Sequence, residues 1–195
     1  KLMFSFKKKF KIKDMLFSLN KHLLNSLFEL REITLDDSRR PKQSEHIVFE
    51  ESVALVYFLV CSPLKLTKIL PSSVEMFLFF ALKGVCCAFV GREKDESQQL
   101  IESRFDDYYD DLEVGFNEAE ICSKYLNFLG IVHSENDTIQ NFSYTSFISS
   151  LFMFSMSTMA DTKKNFKVKN TPLSQDDWES LGAQVQQLSS KYEEK

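Results

Sequence analysis

The chain has 195 residues, a formal net charge of −4, and ordinary globular proportions of hydrophobic (44%) and charged (27%) residues. It contains only 5 Gly and 4 Pro, too few for the many tight turns of a β-sandwich or barrel. Its acidic balance argues against a dedicated nucleic-acid-binding protein, and its isolated glycines exclude the phosphate-binding loops of nucleotide enzymes. We therefore predict an all-α, single-domain helical bundle of about six to eight helices.

The first 13 residues are basic and aromatic. Phe4, Phe6 and Phe10 alternate with lysines, a pattern that predicts a short strand or an extended arm over residues 1–13. The lysines that could contact a membrane surface or an anion are Lys7, Lys8, Lys9, Lys11 and Lys13. The apolar stretch that follows is interrupted by polar residues and has no small-residue cleavage site, so we expect a cytoplasmic protein rather than a secreted one.

A helical core domain is predicted over residues 14–160. Its first helix is capped by Asp14 and ends before a polar loop at 36–44, and a nearly apolar helix follows over 46–61. Pro63 predicts the start of a short helix that ends before Pro71. The capping box of Ser72 and Glu75 opens an apolar helix over 74–90, which at 17 residues is at the lower limit for a membrane span and is expected to be a core helix.

The acidic segment 95–114 predicts a helix with one apolar stripe and an opposite face of carboxylates. Its Asp106, Asp107 and Asp110 form a D-D-x-x-D string that resembles the metal-binding motif of prenyl-diphosphate synthases and terpene cyclases. The resemblance implies an all-α fold and a Mg²⁺-diphosphate site at these three carboxylates. No second metal motif accompanies them, and the helical geometry places them on a solvated face.

The later segments predict three further elements. A helix capped by Asn117 ends at Gly130, residues 131–143 form a polar loop, and an apolar helix spans 144–160. A basic linker over 161–173 leads to a C-terminal amphipathic helix within 174–195, opened by Ser174. The apolar seam of that helix follows heptad spacing and consists of Trp178, Leu181, Val185, Leu188 and Tyr192.

The remaining polar residues give little sign of chemistry. His46 and Glu50 are four apart and could share a metal on one helix face, but no second such pair accompanies them. Of the four cysteines, three lie in apolar runs and are expected to be buried thiols. We expect no cofactor and no metal.

These patterns favour a non-enzymatic protein–protein interaction module of the adaptor, immunity or regulatory type. Residues 1–24 carry a net charge of +6 and residues 93–120 a net charge of −9, which would orient a charged partner. The expected partner is another protein, bound through the C-terminal seam unless that seam packs on the chain's own bundle.

Two alternatives remain: a Mg²⁺-dependent diphosphate-binding enzyme using the aspartate string, and a peripheral membrane protein using the basic arm. A homo-oligomer is compatible with the sequence, and nucleic acid is not expected as a partner.

Overall fold

The computed structural model describes residues 12–67, 94–132, 137–165 and 174–193. Within these ranges the chain forms helices joined by short turns, and no strand. The prediction of an all-α fold is therefore confirmed. The helices are α1 (Ile12–Asp36), α2 (Glu45–Thr67), α3 (Lys94–Val114), α4 (Glu118–Phe128), α5 (Thr138–Asn165) and α6 (Gln175–Glu193).

Helix α2 lies at the centre of the described bundle. Every residue from Val48 to Pro63 is buried, and the helix packs against α1, α3, α4 and α5. A helix that is apolar on all sides needs neighbours on all sides, and α2 has them. Its segment Glu45–Pro63 is long and apolar enough to cross a membrane, but 89% of that window is buried inside the protein, as in a core helix.

Helix α3 follows its predicted apolar stripe. Ile101, Phe105, Tyr108 and Leu112 are buried against α2 and its neighbours, and Tyr109 packs partly against the same core. Phe105 and Tyr108 both contact the ring of Phe58 on α2. Glu102, Asp106 and Asp110 of the helix are exposed on its outer side, as the 3.6-residue repeat requires.

A buried hydroxyl network ties three helices together. The hydroxyl of Tyr125 on α4 lies 2.7 Å from Ser52 Oγ on α2 and 3.1 Å from Thr34 Oγ1 on α1. Burial raises the pKa of Tyr125, and the hydrogen bonds to Ser52 and Thr34 oppose that rise only in part. The phenol therefore stays protonated and can act as donor and acceptor within the core.

Several predicted boundaries are corrected. Pro63 lies inside α2 instead of opening a new helix, because the helix buries a continuous face through this point and that packing outweighs the lost backbone bond. Helix α5 begins at Thr138, so the second half of the predicted 131–143 loop is helical, and it continues to Asn165, five residues into the predicted linker. Asp14 lies within α1 and is not its cap.

Some predictions fall outside the described residues. These are residues 1–11 of the predicted arm, the capping box of Ser72 and Glu75, the apolar helix over 74–90 and the linker from 166 to 173. They stay predictions. The last two residues of the predicted 1–13 arm are corrected, because α1 already begins at Ile12.

Candidate functional site

An open groove runs between α1 and α5. At one end it encloses about 500 Å³, lined by His22, Ser26 and Glu29 of α1 and by Phe147 and Phe154 of α5 among others. A second hollow of about 210 Å³ continues it toward the start of α5. Ile33 and Ser143 line both hollows, so the two form one continuous groove.

The α5 side of the groove is apolar and exposed. Ile139 is 78% exposed, Phe142 70% and Phe154 38%, and all three line the groove. Met153, next to Phe154, is 62% exposed. Isolated exposed apolar residues are common, but four large ones along a single helix form a patch of the kind that marks interaction surfaces.

This patch follows from the composition of α5. One face of the helix carries Tyr144, Ile148 and Leu151, which are buried against the core. The outer face carries apolar residues at both ends and the serines 143, 146 and 150 between them. A helix that is apolar around most of its circumference is normally covered on most of its circumference, whereas the described residues cover α5 on one side only.

The α1 side of the groove is acidic. Glu29 and Asp36 line the groove, and Glu32 is exposed one helical step outside it. Among the described residues, none of these three carboxylates forms an ion pair. Residues three and four apart lie on the same side of a helix, so the three charges form one acidic lip, defined here as Glu29, Glu32 and Asp36.

His22 closes one end of the groove. Its ring centroid lies 3.7 Å from that of Phe154, and its Nε2 is buried without a hydrogen bond in the described part of the chain. Burial lowers the pKa of His22, so the imidazole is neutral at pH 7. The end wall of the groove therefore adds an aromatic surface and no charge.

The other end is held by an ion-pair cluster. Arg39 binds both carboxylate oxygens of buried Asp37 and donates a 2.8 Å hydrogen bond to Asn141 Oδ1 on α5. Burial acts to raise the pKa of Asp37. Arg39 outweighs this effect, because its side chain and backbone donate hydrogen bonds to the carboxylate and its guanidinium is positively charged, so the pKa of Asp37 is lowered. The cluster ties the end of α1 to the first turn of α5 and so fixes the width of the groove at this point.

The aspartates of the D-D-x-x-D string lie elsewhere. Asp106 and Asp110 are exposed on α3, and Asp107 pairs with Arg104 at 3.4 Å. Among the described residues, no group of three His, Cys, Asp or Glu side chains is placed to hold a metal ion. Of the pair His46 and Glu50, the histidine side chain is exposed to solvent and the glutamate side chain is buried in the core.

The described cysteines are buried in the core. Cys61 lies on α2 and Cys122 on α4, and both side chains are buried. Burial raises the pKa of Cys122 to about 11, so this thiol is protonated and unreactive at neutral pH.

The predicted C-terminal seam lies on α6, which packs along α1. Asn20 of α1 donates a 3.2 Å hydrogen bond to Gln184 of α6, and half-buried Trp178 packs against the core. The side chains of the other four seam residues, Leu181, Val185, Leu188 and Tyr192, lie outside the described part of the structure, as do those of Lys7, Lys8, Lys9, Lys11 and Lys13. Trp178 is therefore the seam residue whose packing on the bundle is described, and the docking of the whole seam stays a prediction.

The groove residues were missed by the sequence patterns. The polar neighbours of Ile139 and Phe142 predict a loop over 131–143, and no sequence pattern distinguishes Glu29 or Asp36 from other acidic surface residues. One signal was present: residues 138–160 contain no charged residue, which is unusual for a helix with a solvent-facing side.

Comparison with known proteins gives no relative. No family model, no curated protein and no solved structure matches this chain.

Proposed function

We propose that this protein is a non-enzymatic helical module that binds another protein through the groove between α1 and α5. The observation that carries the proposal is the row of large exposed apolar residues on α5: Ile139, Phe142, Met153 and Phe154. Covering such residues with a partner removes apolar surface from water, at about 25 cal/mol for each Å² of apolar area.

The shape of the groove supports a helical partner segment. From Ile139 to Phe154 the rise of an α-helix gives a length of roughly 22 Å, about four turns. The α5 side of the groove carries exposed apolar residues near both ends and the serines 143, 146 and 150 between them, and Ile33, Phe147 and Leu151 line its floor. Grooves of this form bind amphipathic helices, which place apolar residues at helical spacing into the cleft.

The other two functions have less support. Asp106 and Asp110 are exposed on α3 and are not among the residues lining the groove, so no enclosed site for a Mg²⁺-diphosphate is formed around them by the described residues. The membrane hypothesis depends on the basic residues 1–13, most of which lie outside the described structure. In the described part of the structure, no observation specifically favours the diphosphate-binding enzyme or the membrane-bound protein.

The test replaces the two most exposed apolar residues of the groove by charged ones. In the double variant Ile139→Glu/Phe142→Glu, we expect loss of partner capture from cells of the source organism, with the folded state retained because both side chains are exposed. The matched control is Gln186→Glu/Gln187→Glu, which adds the same two charges at exposed polar positions of α6. Quantitative affinity capture measures the difference, and circular dichroism checks the fold.

The proposal fails if partners are retained equally by the groove variant and the control. It also fails if the groove variant alone loses its folded structure, because the two residues would then contribute to the core.

A further inference from the structure

We infer that the segment bound in the groove is an amphipathic helix with apolar residues along one face and lysines or arginines along the flank that lies over α1. This inference rests on the proposed function and specifies the chemistry of the partner. It is carried by the unequal charge of the two sides of the groove.

The α1 side supplies all the negative charge. Glu29, Glu32 and Asp36 are exposed, and none is ion-paired within the described part of the chain. The basic residue next to them on the same helix, Arg31, is already paired with Glu45. Within the described residues, the acidic lip therefore has no ion-pair partner.

The α5 side supplies no charge. Residues 138–160 include no Asp, Glu, Lys or Arg, and they line the groove with apolar side chains, serines and the uncharged Gln140. A partner helix lying in the groove therefore meets carboxylates along one flank and an uncharged surface along the other. Complementary charges favour one orientation of the partner and repel an acidic one.

The floor of the groove suits the apolar face of such a helix. Ile33, Phe147 and Leu151 line it from the core side, and the small serines 143, 146 and 150 leave room for larger partner side chains. The hydroxyl of Ser143 donates to the carbonyl of Ile139, so covering this serine does not leave its donor unsatisfied.

The test uses two synthetic helical peptides of 18 residues with identical leucine spacing. One carries lysines along a single flank, and the other carries glutamates at the same positions. We expect the lysine peptide to bind at least about tenfold more tightly than the glutamate peptide, because three exposed ion pairs of ordinary strength sum to about that factor. Fluorescence anisotropy at low and high salt measures the two affinities, and the preference should shrink as salt screens the charges.

A pair of charge-matched variants assigns the preference to the acidic lip. The first variant removes the lip charges, and we expect it to abolish the preference for the lysine peptide: Glu29→Gln/Glu32→Gln/Asp36→Asn. The second removes the same net charge from exposed positions of α3, and we expect it to leave that preference unchanged: Glu102→Gln/Asp106→Asn/Asp110→Asn. Equal loss in both variants would show an effect of net charge alone and would overturn the inference.

Failure of the inference is distinct from failure of the proposed function. Equal binding of both peptides that is lost in Ile139→Glu/Phe142→Glu would retain the groove as the binding site and reject the basic partner. Absence of binding by either peptide would reject the amphipathic helix as the occupant. Self-association that depends on concentration and disappears in Ile139→Glu/Phe142→Glu would also overturn the inference of a basic helical partner. A second copy of the chain would then fill the groove.

Discussion

Arg104 of α3 joins three helices of the described core. Its guanidinium makes three hydrogen bonds of 2.8 to 3.0 Å to Glu51 on α2 and lies 3.7 Å above the ring of Phe128 on α4. Hydrogen bonding to Glu51 raises the pKa of Arg104, with burial opposing and the negative charge of Glu51 reinforcing the rise. The Glu51 side chain is only 1% exposed, and Arg104 is its ion-pair partner.

We predict that Arg104→Met lowers the free energy of unfolding by about 2–4 kcal/mol, because it leaves a buried carboxylate without its counter-charge. The matched control is Arg31→Met. The partner of Arg31, Glu45, is 63% exposed, so the expected loss there is about 0–1 kcal/mol. Urea unfolding of both variants measures the difference, and equal losses would show that the Arg104–Glu51 pair contributes no more than a surface pair.

At the scale of single elements, α4 shows how local sequence sets a helix's ends. The Asn117 side chain accepts hydrogen bonds from the backbone N–H groups of Ala119 and Glu120. At the other end Gly130 adopts a φ of +69°, and Ile131 N–H donates to the carbonyl of Leu126. Glycine adopts this left-handed backbone conformation at the end of a helix without strain. The turn also allows the backbone carbonyl of Leu129 to accept a hydrogen bond from the N–H of Lys42, in the loop after α1.

We predict opposite effects of the same substitution at two glycines. Gly130→Ala should destabilise the protein by about 1–2 kcal/mol, since its backbone is left-handed and a Cβ would lie 3.1 Å from Lys42 Cβ. Gly182→Ala should stabilise it by about 0.5–1 kcal/mol, since this glycine is inside α6 and a Cβ there meets nothing within 4 Å. Thermal unfolding of both variants is the measurement, and a shift of the same sign in both would contradict the assignment of Gly130 as a cap.

At the scale of the whole molecule, α6 closes the described bundle by packing along α1. The helix is opened by Ser174, whose hydroxyl accepts from Asp177 N–H while the Asp177 carboxylate accepts from Ser174 N–H. Isolated helices of this length are marginal in water, so α6 depends on what it packs against. Among its described side chains, Trp178 packs against the core.

We predict that Trp178→Ala lowers the free energy of unfolding by about 1–3 kcal/mol, less than for a fully buried tryptophan because the ring is half-buried. The control Gln187→Ala removes an exposed side chain of the same helix and should change stability by less than about 0.5 kcal/mol. The melting temperature of the isolated protein is the readout. An unchanged melting temperature together with lost partner binding would instead place the seam on a partner.

Much of the fold was determined by the sequence. The scarcity of glycine and proline predicted an all-α protein, and the 3.6-residue repeat identified the buried face of α3, from Ile101 to Leu112. The caps at Asn117, Gly130 and Ser174 placed helix ends correctly, because a cap depends on neighbours within a few residues along the chain. Local chemistry is sufficient for such features.

The tertiary structure alone decided the rest. Pro63 is a local signal for a helix start, yet packing around α2 keeps the helix continuous through it. Ile139 and Phe142 lie among polar neighbours that indicate a loop, yet Arg39 holds the first turn of α5 against the end of α1. The groove depends on two helices separated by about a hundred residues of chain, and its acidic and apolar sides belong to different helices. No periodicity within one segment reveals such a site, because it arises from how the described helices pack and from the outer face of α5 that they leave uncovered.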